Sequence, residues 1–222
     1  MKSIKIPYGK DTIEWTAPVG FNPEVILPKD LPGVKNATAQ ILSALDNPIG
    51  SKRIEDYEGI ETVAIAISDL TRPVPNKLIL PPIVSKLGQI GVKPENITVI
   101  VGTGLHRVSH RDEFAELIGA ELASKLNVIS HDATDSDMQI DCGRSKRGTP
   151  IIVNKHYLEA DLRIVTGMIE PHQFIGFSGG AKGLSIGLGS AELICTNHAM
   201  LTDKRAELGR IDGNPAREDV DE

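Results

Sequence analysis

The chain has 222 residues, 40% of them hydrophobic and 24% charged, with 24 Lys and Arg against 30 Asp and Glu. This balance excludes disordered and fibrous classes and is enough to bury a core in one large domain or two small ones. A formal charge of −6 gives no global positive field to attract nucleic acid or an anionic membrane, so neither partner is expected and any anion site is local.

In chain order, Ser3 to Pro7 and Thr12 to Thr16 alternate around the turn Tyr8-Gly9-Lys10-Asp11 and predict a strand pair. A Pro-rich connection follows. Val34, Ala37, Ile41, Leu42 and Leu45 recur at helical spacing up to Asn47-Pro48, which predicts an amphipathic helix. Residues 61 to 68 (ETVAIAIS) form a short apolar run of the kind a strand buried on both faces shows. A helix over Asn76 to Gln89, a second buried strand over Asn96 to Val101, a helix over Asp112 to Leu126 and a third strand over Asn127 to Ser130 come next. This alternation predicts an α/β fold, a Rossmann-like parallel sheet with crossover helices.

Pro150 to Val153 and Asp161 to Thr166 predict two further strands joined by a turn-prone stretch. Residues 176 to 189 then hold six glycines, too many for an element interior, and predict a loop or a loop leading into a helix N-terminus. Ala216 to Glu222 has the acidic composition of a capped first helical turn. The chain is therefore expected to be one half of a longer protein.

The 2 cysteines, Cys142 and Cys195, are too few for a disulfide scaffold and have no CxxC partner, which fits a reducing cytoplasm. The N-terminus lacks a signal-peptide core and no apolar run nears the roughly 18 residues of a membrane span, so a cytoplasmic location is expected.

Ligands of open parallel sheets bind beyond the carboxyl ends of the strands. Three such loops carry polar groups: Ser68 to Pro73, Gly102 to Arg107 and Gly167 to His172. Arg72 offers a planar fork of donors suited to a carboxylate or phosphate, on a turn stiffened by Pro73. Asp69 either orients Arg72 or caps its turn. His106 and His172 are the general acid/base candidates, because imidazole titrates near neutrality. His110, His131 and His156 are background.

Lys182, within the glycine-rich segment, suits either an anion beside exposed backbone N–H groups or, with its amine deprotonated, a covalent attachment. Neither GxxxxGK[ST] nor GxGxxG is present, so a nucleotide reading has weak support from motifs. His198 is a candidate nickel or zinc ligand. No HxH, HxxxH or HExxH pattern supplies it with a partner.

The stretches SDLTRP (68 to 73), GTGLHR (102 to 107), EPHQFIGFSGGAKG (170 to 183), NHAM (197 to 200) and GNPAREDVDE (213 to 222) together resemble the nickel-dependent lactate racemase family, whose members use a nickel-pincer nucleotide. The resemblance implies that residues 1 to 222 are the N-terminal cofactor-binding catalytic domain of a two-domain protein, with the C-terminal domain absent. It implies a tether from Lys182 to a pyridinium thioamide/thioacid mononucleotide that binds nickel through its own carbon and sulfur, with His198 completing the metal's coordination. By the same resemblance His106 and His172 are the paired catalytic bases, Arg72 binds the substrate carboxylate, and Asp69, Thr71, Ser178, Gly179 and Gly180 contact the cofactor.

The implied activity is racemisation or epimerisation of a small 2-hydroxy acid. One histidine removes the hydroxyl proton as the C2 hydride passes to the cofactor, and the other returns a proton to the planar 2-keto acid. Cofactor biosynthesis enzymes are implied partners, and the isolated chain is expected to be inactive. The tether loop departs from the family's pattern, which has Arg before the lysine and Ser-Ile-Leu-Pro-Gly after it; here Ala181 precedes Lys182 and Gly183 to Gly187 follow. Lactate and a related 2-hydroxy acid therefore both stand as substrates. The alternative from a different class is an anion- or nucleotide-binding module without redox chemistry.

Overall fold

The computed structural model describes residues 3–27, 29 and 31–222, so Met1 and Lys2 of the N-terminal segment and Pro28 and Asp30 of the Pro-rich connection lie outside it. The chain divides into two compact units, 1–35 and 36–222. In the first, β1 (Ser3–Tyr8) and β2 (Asp11–Thr16) form an antiparallel hairpin in unbroken register from Ser3↔Thr16 to Tyr8↔Asp11. The turn is two residues long, with Gly9 at φ 61°, a left-handed position that glycine adopts at little cost. Each strand thus runs one residue further into the turn than its alternation predicts.

The second unit opens with α1 (Ala37–Asp46), capped by Asn36, whose side chain accepts from Ala39 N at 3.0 Å. That cap starts the helix three residues after Val34, the first apolar position of its pattern. The next elements in chain order are β3 (Val63–Ser68), α2 (Asn76–Gln89) and β4 (Ile97–Gly102). The helix predicted over Asp112 to Leu126 is interrupted: Gly119, at φ 89°, separates α3 (Phe114–Ile118) from α4 (Ala120–Lys125). β5 (Asn127–Ser130) follows with the predicted bounds.

β6 (Gln139–Arg144) and β7 (Pro150–Asn154) pair antiparallel in a sheet of their own. The strand predicted over Pro150 to Val153 is therefore present, outside the parallel sheet. Its partner β6 escapes sequence reading because its last four residues are all exposed and it carries an irregularity between Asp141 and Arg144. After α5 (Lys155–Leu158), β8 (Leu162–Val165) returns to the main sheet. β9 (Pro171–His172) and β10 (Gly176–Phe177) make a small hairpin. The helices α6 (Ala181–Ser185), α7 (Ala191–Ala199) and α8 (Pro215–Asp221) complete the unit. The glycine-rich segment is thus no uniform loop, since β10 and α6 lie within it.

The main sheet is parallel throughout, in the order β5-β4-β3-β8. Counted along the chain within this sheet the order is 3-2-1-4, in which the chain builds outward from its first strand and then reverses to the other side of it. Side chains of β3 alternate between two cores. Val63, Ile65 and Ile67 join Val99 and Val101 under Leu80, Ile83 and Leu87 of α2 and Leu117 of α3. Ala64 and Ala66 face the opposite way, with Ile186, Leu188, Leu193 and Ile194. Each fully buried Ile or Leu contributes roughly 1.5–3 kcal/mol, while the alanines on the second face let the backbone around α6 approach closely. No helix among the described residues is long and apolar enough to cross a membrane.

Candidate functional site

Where the strand order reverses, a cavity of about 460 Å³ opens beyond the carboxyl ends of β3, β4 and β8. This is a volume typical of small-ligand sites, in the place where open α/β sheets bind them. Three glycines make it possible. Gly104 has φ 55° and donates its N–H to Gly187 O at 3.1 Å. A Cβ on Gly102 would stand 3.2 Å from that same carbonyl oxygen, so the loop after β4 lies directly on the backbone that follows α6. A Cβ on Gly183 would stand 2.8 Å from Val165 Cγ2, so α6 seats against β8 and places Lys182 at the cavity wall.

Eight of the ten residues singled out from sequence line this cavity: Asp69, Arg72, His106, His172, Ser178, Gly179, Lys182 and His198. Thr71 and Gly180 do not. Thr71 stands just behind the lining, donating to Asp69 Oδ1 from its N–H at 3.0 Å and its hydroxyl at 2.6 Å, and accepting from Arg72 Nη1 at 3.1 Å. Gly180, at φ 54°, is the residue from which α6 starts.

The structure resolves the two readings of Asp69 by adding a third partner. Asp69 caps its turn through Thr71, reaches Arg72 through the Thr71 hydroxyl, and contacts His106 Nδ1 with Oδ2 at 2.6 Å. Asp69 is 5% exposed, so both of its oxygens are committed to these donors. The contact fixes the His106 tautomer: Nδ1–H faces the carboxylate and the Nε2 lone pair is free. Arg107, next in sequence, is held away by a bidentate pairing with Glu113.

His172 Nδ1 accepts from Ile175 N–H at 3.3 Å, so its Nε2 is the nitrogen left to exchange protons. Burial, and then the charges of Lys182, His198 and Arg72, push its pKa down to about 4. The Lys182 amine is also pushed down, by burial first and Arg72 second. It forms no hydrogen bond or ion pair with any described residue, which favours the free amine required of a nucleophile. Ser178 braces the approach to α6, donating to Met168 O at 2.6 Å and accepting from Glu170 N at 2.9 Å.

His198, on α7, is lowered by burial and by Lys182. Its buried Nδ1 meets no partner at full hydrogen-bond geometry and has the Ile194 backbone one turn back on α7 beside it, while the ring lines the cavity. Among the described residues no group of three or more His, Cys, Asp and Glu side chains is placed to hold a metal. A metal here would therefore take at most two side chains of the described residues and its other ligands from elsewhere, a donor set that fits a cofactor carrying its own metal ligands. The lining carries Arg72 and Lys182 with Asp69 and Glu170, and burial holds His172, His198 and the Lys182 amine toward their neutral forms, so the group suited to an anion is the Arg72 guanidinium fork.

Sequence reading missed Phe174, Asn197 and Asn214. The Phe174 ring stands edge-on to His172 at 4.9 Å and to His198 at 5.0 Å. Asn197 and Asn214 are fully buried. The signal available for Asn214 was its place before Pro215 in GNPAREDVDE, a helix N-cap position.

The sequence model of the family described as the lactate racemase N-terminal domain matches residues 8–209. A lactate racemase from Thermoanaerobacterium thermosaccharolyticum is 32% identical over 225 residues, which cover 99% of this chain and 53% of that protein. A lactate racemase from Lactiplantibacillus plantarum is 34% identical over 180 residues, 80% of this chain and 42% of that one. The chain thus spans about half the length of the curated relatives it matches. The structure of the Thermoanaerobacterium thermosaccharolyticum lactate racemase apoprotein superposes with a TM-score of 0.82, covering 99% of this chain and 52% of that one. A Thermotoga maritima protein, 24% identical with a TM-score of 0.71 over 86% of this chain, shares the fold.

Proposed function

This chain belongs to the lactate racemase N-terminal domain family, and from that premise we propose that it is the cofactor-carrying catalytic half of a 2-hydroxy acid racemase or epimerase. The observation that carries the reading is the convergence of Lys182, His198, His172, His106 and Arg72 on one cavity from the loops after β3 and β4, from β9 and from helices α6 and α7. Lys182 would hold a nickel-pincer nucleotide covalently and His198 would complete the coordination of its nickel. When bound, that group supplies the acceptor and donor of the C2 hydride.

The chain's own residues do the rest. Arg72 receives the substrate carboxylate through its guanidinium fork. His106, oriented by Asp69, takes the hydroxyl proton at Nε2, and its developing charge is stabilised by the Asp69 carboxylate. His172, the second imidazole in the lining, gives or takes the proton in the opposite direction of the reaction. The substrate carboxylate offsets the charge of Arg72, one of the groups that hold the His172 pKa down to about 4, so binding raises it toward the range where an imidazole works both ways near neutral pH. Water must be kept from the cavity during this exchange, and the chain alone, with Arg72, Leu105 and Ile169 exposed, is proposed to be inactive until the length its relatives carry beyond it is supplied.

The test is the denaturing intact mass of protein co-expressed with pincer-cofactor biosynthesis enzymes, with peptide mapping around Lys182. The expected result is an adduct on the Lys182 peptide, nickel in the native sample, and loss of both in Lys182→Ala. An unmodified wild-type mass under these conditions overturns the tether. The Arg72 guanidinium beside the Lys182 amine favours a second reading, an anion-binding module, for which Lys182→Ala weakens anion affinity only in part.

A further inference from the structure

The motif GNPAREDVDE takes no part in the chemistry above, yet its first buried residue is joined to the site. Asn214 Nδ2 donates to Phe174 O at 2.7 Å and to Arg210 O at 3.1 Å, while its Oδ1 caps α8 through Ala216 N at 3.1 Å and Arg217 N at 3.2 Å. Two more contacts fasten the same loop to the hairpin that carries His172. Gly209 N donates to Gly176 O at 3.0 Å, and a Cβ on Gly176, at φ 84°, would fall 2.1 Å from Arg210 O. On its far side α8 grips α7: Asn197 Nδ2, one residue before His198, donates to Ala216 O and to Asp219 Oδ2, both at 3.0 Å. Ser145 secures that carboxylate at 2.6 Å.

Between these two anchored elements stands the Phe174 ring, 7% exposed and edge-on to both His172 and His198. Edge-to-face contacts are directional, so the ring fixes the orientation of both imidazoles as well as filling space. We propose that Asn214 and Phe174 are positioning residues that together set the separation and tilt of His172 and His198, with α8 as the strap that ties the hairpin of one to the helix of the other. The roles at stake for the two histidines rest on the racemase reading, but the strap is a property of the folded chain. It also accounts for why an amide is needed at position 214. Serine or aspartate caps a helix equally well, but aspartate has no donor and the single short serine hydroxyl cannot accept from α8 and also reach both Phe174 O and Arg210 O, as the two ends of the amide do.

The experiment uses this chain without added cofactor and reads the histidine ring resonances by aromatic ¹H–¹³C NMR in wild type, Asn214→Ser and Phe174→Leu, alongside the urea midpoint. Asn214→Ser keeps the helix cap but is too short to hold Phe174 O, and Phe174→Leu keeps the tether but removes the ring. Of the 6 histidines, only His172 and His198 are expected to move, and to move in both variants. Resonances of His172 and His198 that stay in place in a folded Asn214→Ser, or shifts spread over all six rings in both variants, overturn the strap. Should Asn214→Ser fail to fold, Phe174→Leu decides alone, read by the NOEs of the two imidazoles to their neighbours because loss of the ring current moves both resonances in any case: NOE changes confined to the two rings uphold the wedge, and unaltered or general NOEs overturn it. The racemase reading fails on a different readout, the absence of an adduct at Lys182 in wild type, so the two failures are distinguishable.

Discussion

Asp69 shows how much one carboxylate can organise when both its oxygens are used. A charge-assisted contact of 2.6 Å to His106 Nδ1 does more to fix the ring than to stabilise the fold, because the His106 side chain remains 46% exposed and such pairs are worth little net stability in water. Asp69→Asn keeps an acceptor for Thr71 but turns an amide donor toward His106 Nδ1, which forces the ring into the tautomer with Nε2–H. The expected outcome is a switch of the His106 tautomer in ¹⁵N NMR and, in the loaded enzyme, a fall in turnover on the order of 10²–10⁴-fold. An unchanged tautomer refutes this role. From sequence, Asp69 and His106 were each legible as loop residues past a strand, but their pairing was not: they are 37 residues apart, and no local pattern records which loops meet.

At the scale of elements, the strands were legible because each of β3, β4, β5 and β8 is a short apolar run, and α2 and β5 have their predicted bounds. The failures have a common cause. Gly119 split a predicted helix because its left-handed φ is invisible to periodicity, and β6 was missed because a largely exposed strand has no apolar face to repeat. The seating of α6 on β8 is also an element-scale fact, with its own test. Gly183→Ala places a methyl 2.8 Å from Val165 Cγ2, so despite the better helix propensity of alanine it is expected to destabilise the chain by about 1–3 kcal/mol in urea unfolding. It should also lower adduct yield at Lys182, the preceding residue. A stabilised variant would mean that α6 has room to shift.

Over the whole molecule, the burial of three histidines leaves a mark on stability against pH. His172, His131 and His198 all have pKa values lowered by burial first, so between the ordinary histidine value of 6.5 and the folded values the unfolded chain binds more protons. Stability therefore rises with pH across that window and is lost as pH falls through it, with the His172 share fully lost by about 4. The carboxylates act lower: Glu113, held down to about 2 by Arg107, contributes stability present above pH 4.5 and lost as pH falls toward 2. The urea midpoint is expected to fall steadily from pH 7 to pH 4.5, and less steeply in His131→Asn, since His131 is fully buried between Asn154 Nδ2 and Gly189 O. A midpoint that stays flat above pH 4.5 contradicts the histidine account.

The amino-acid sequence was enough for the strands of the parallel sheet, for the loops that carry polar groups at one edge of it and, with the resemblance those loops carry, for eight of ten residues expected at the site. These follow from local rules, because an apolar run seeks burial and a crossover returns each parallel strand to the same end of the sheet. Only the tertiary structure decided the order β5-β4-β3-β8, the exclusion of β7 from that sheet, the partner of Asp69 and the place of Phe174 between two histidines joined to Asn214. Each of these is a choice among distant partners of similar chemistry, and it is settled by which arrangement leaves the fewest buried polar groups unpaired and the least apolar surface in water.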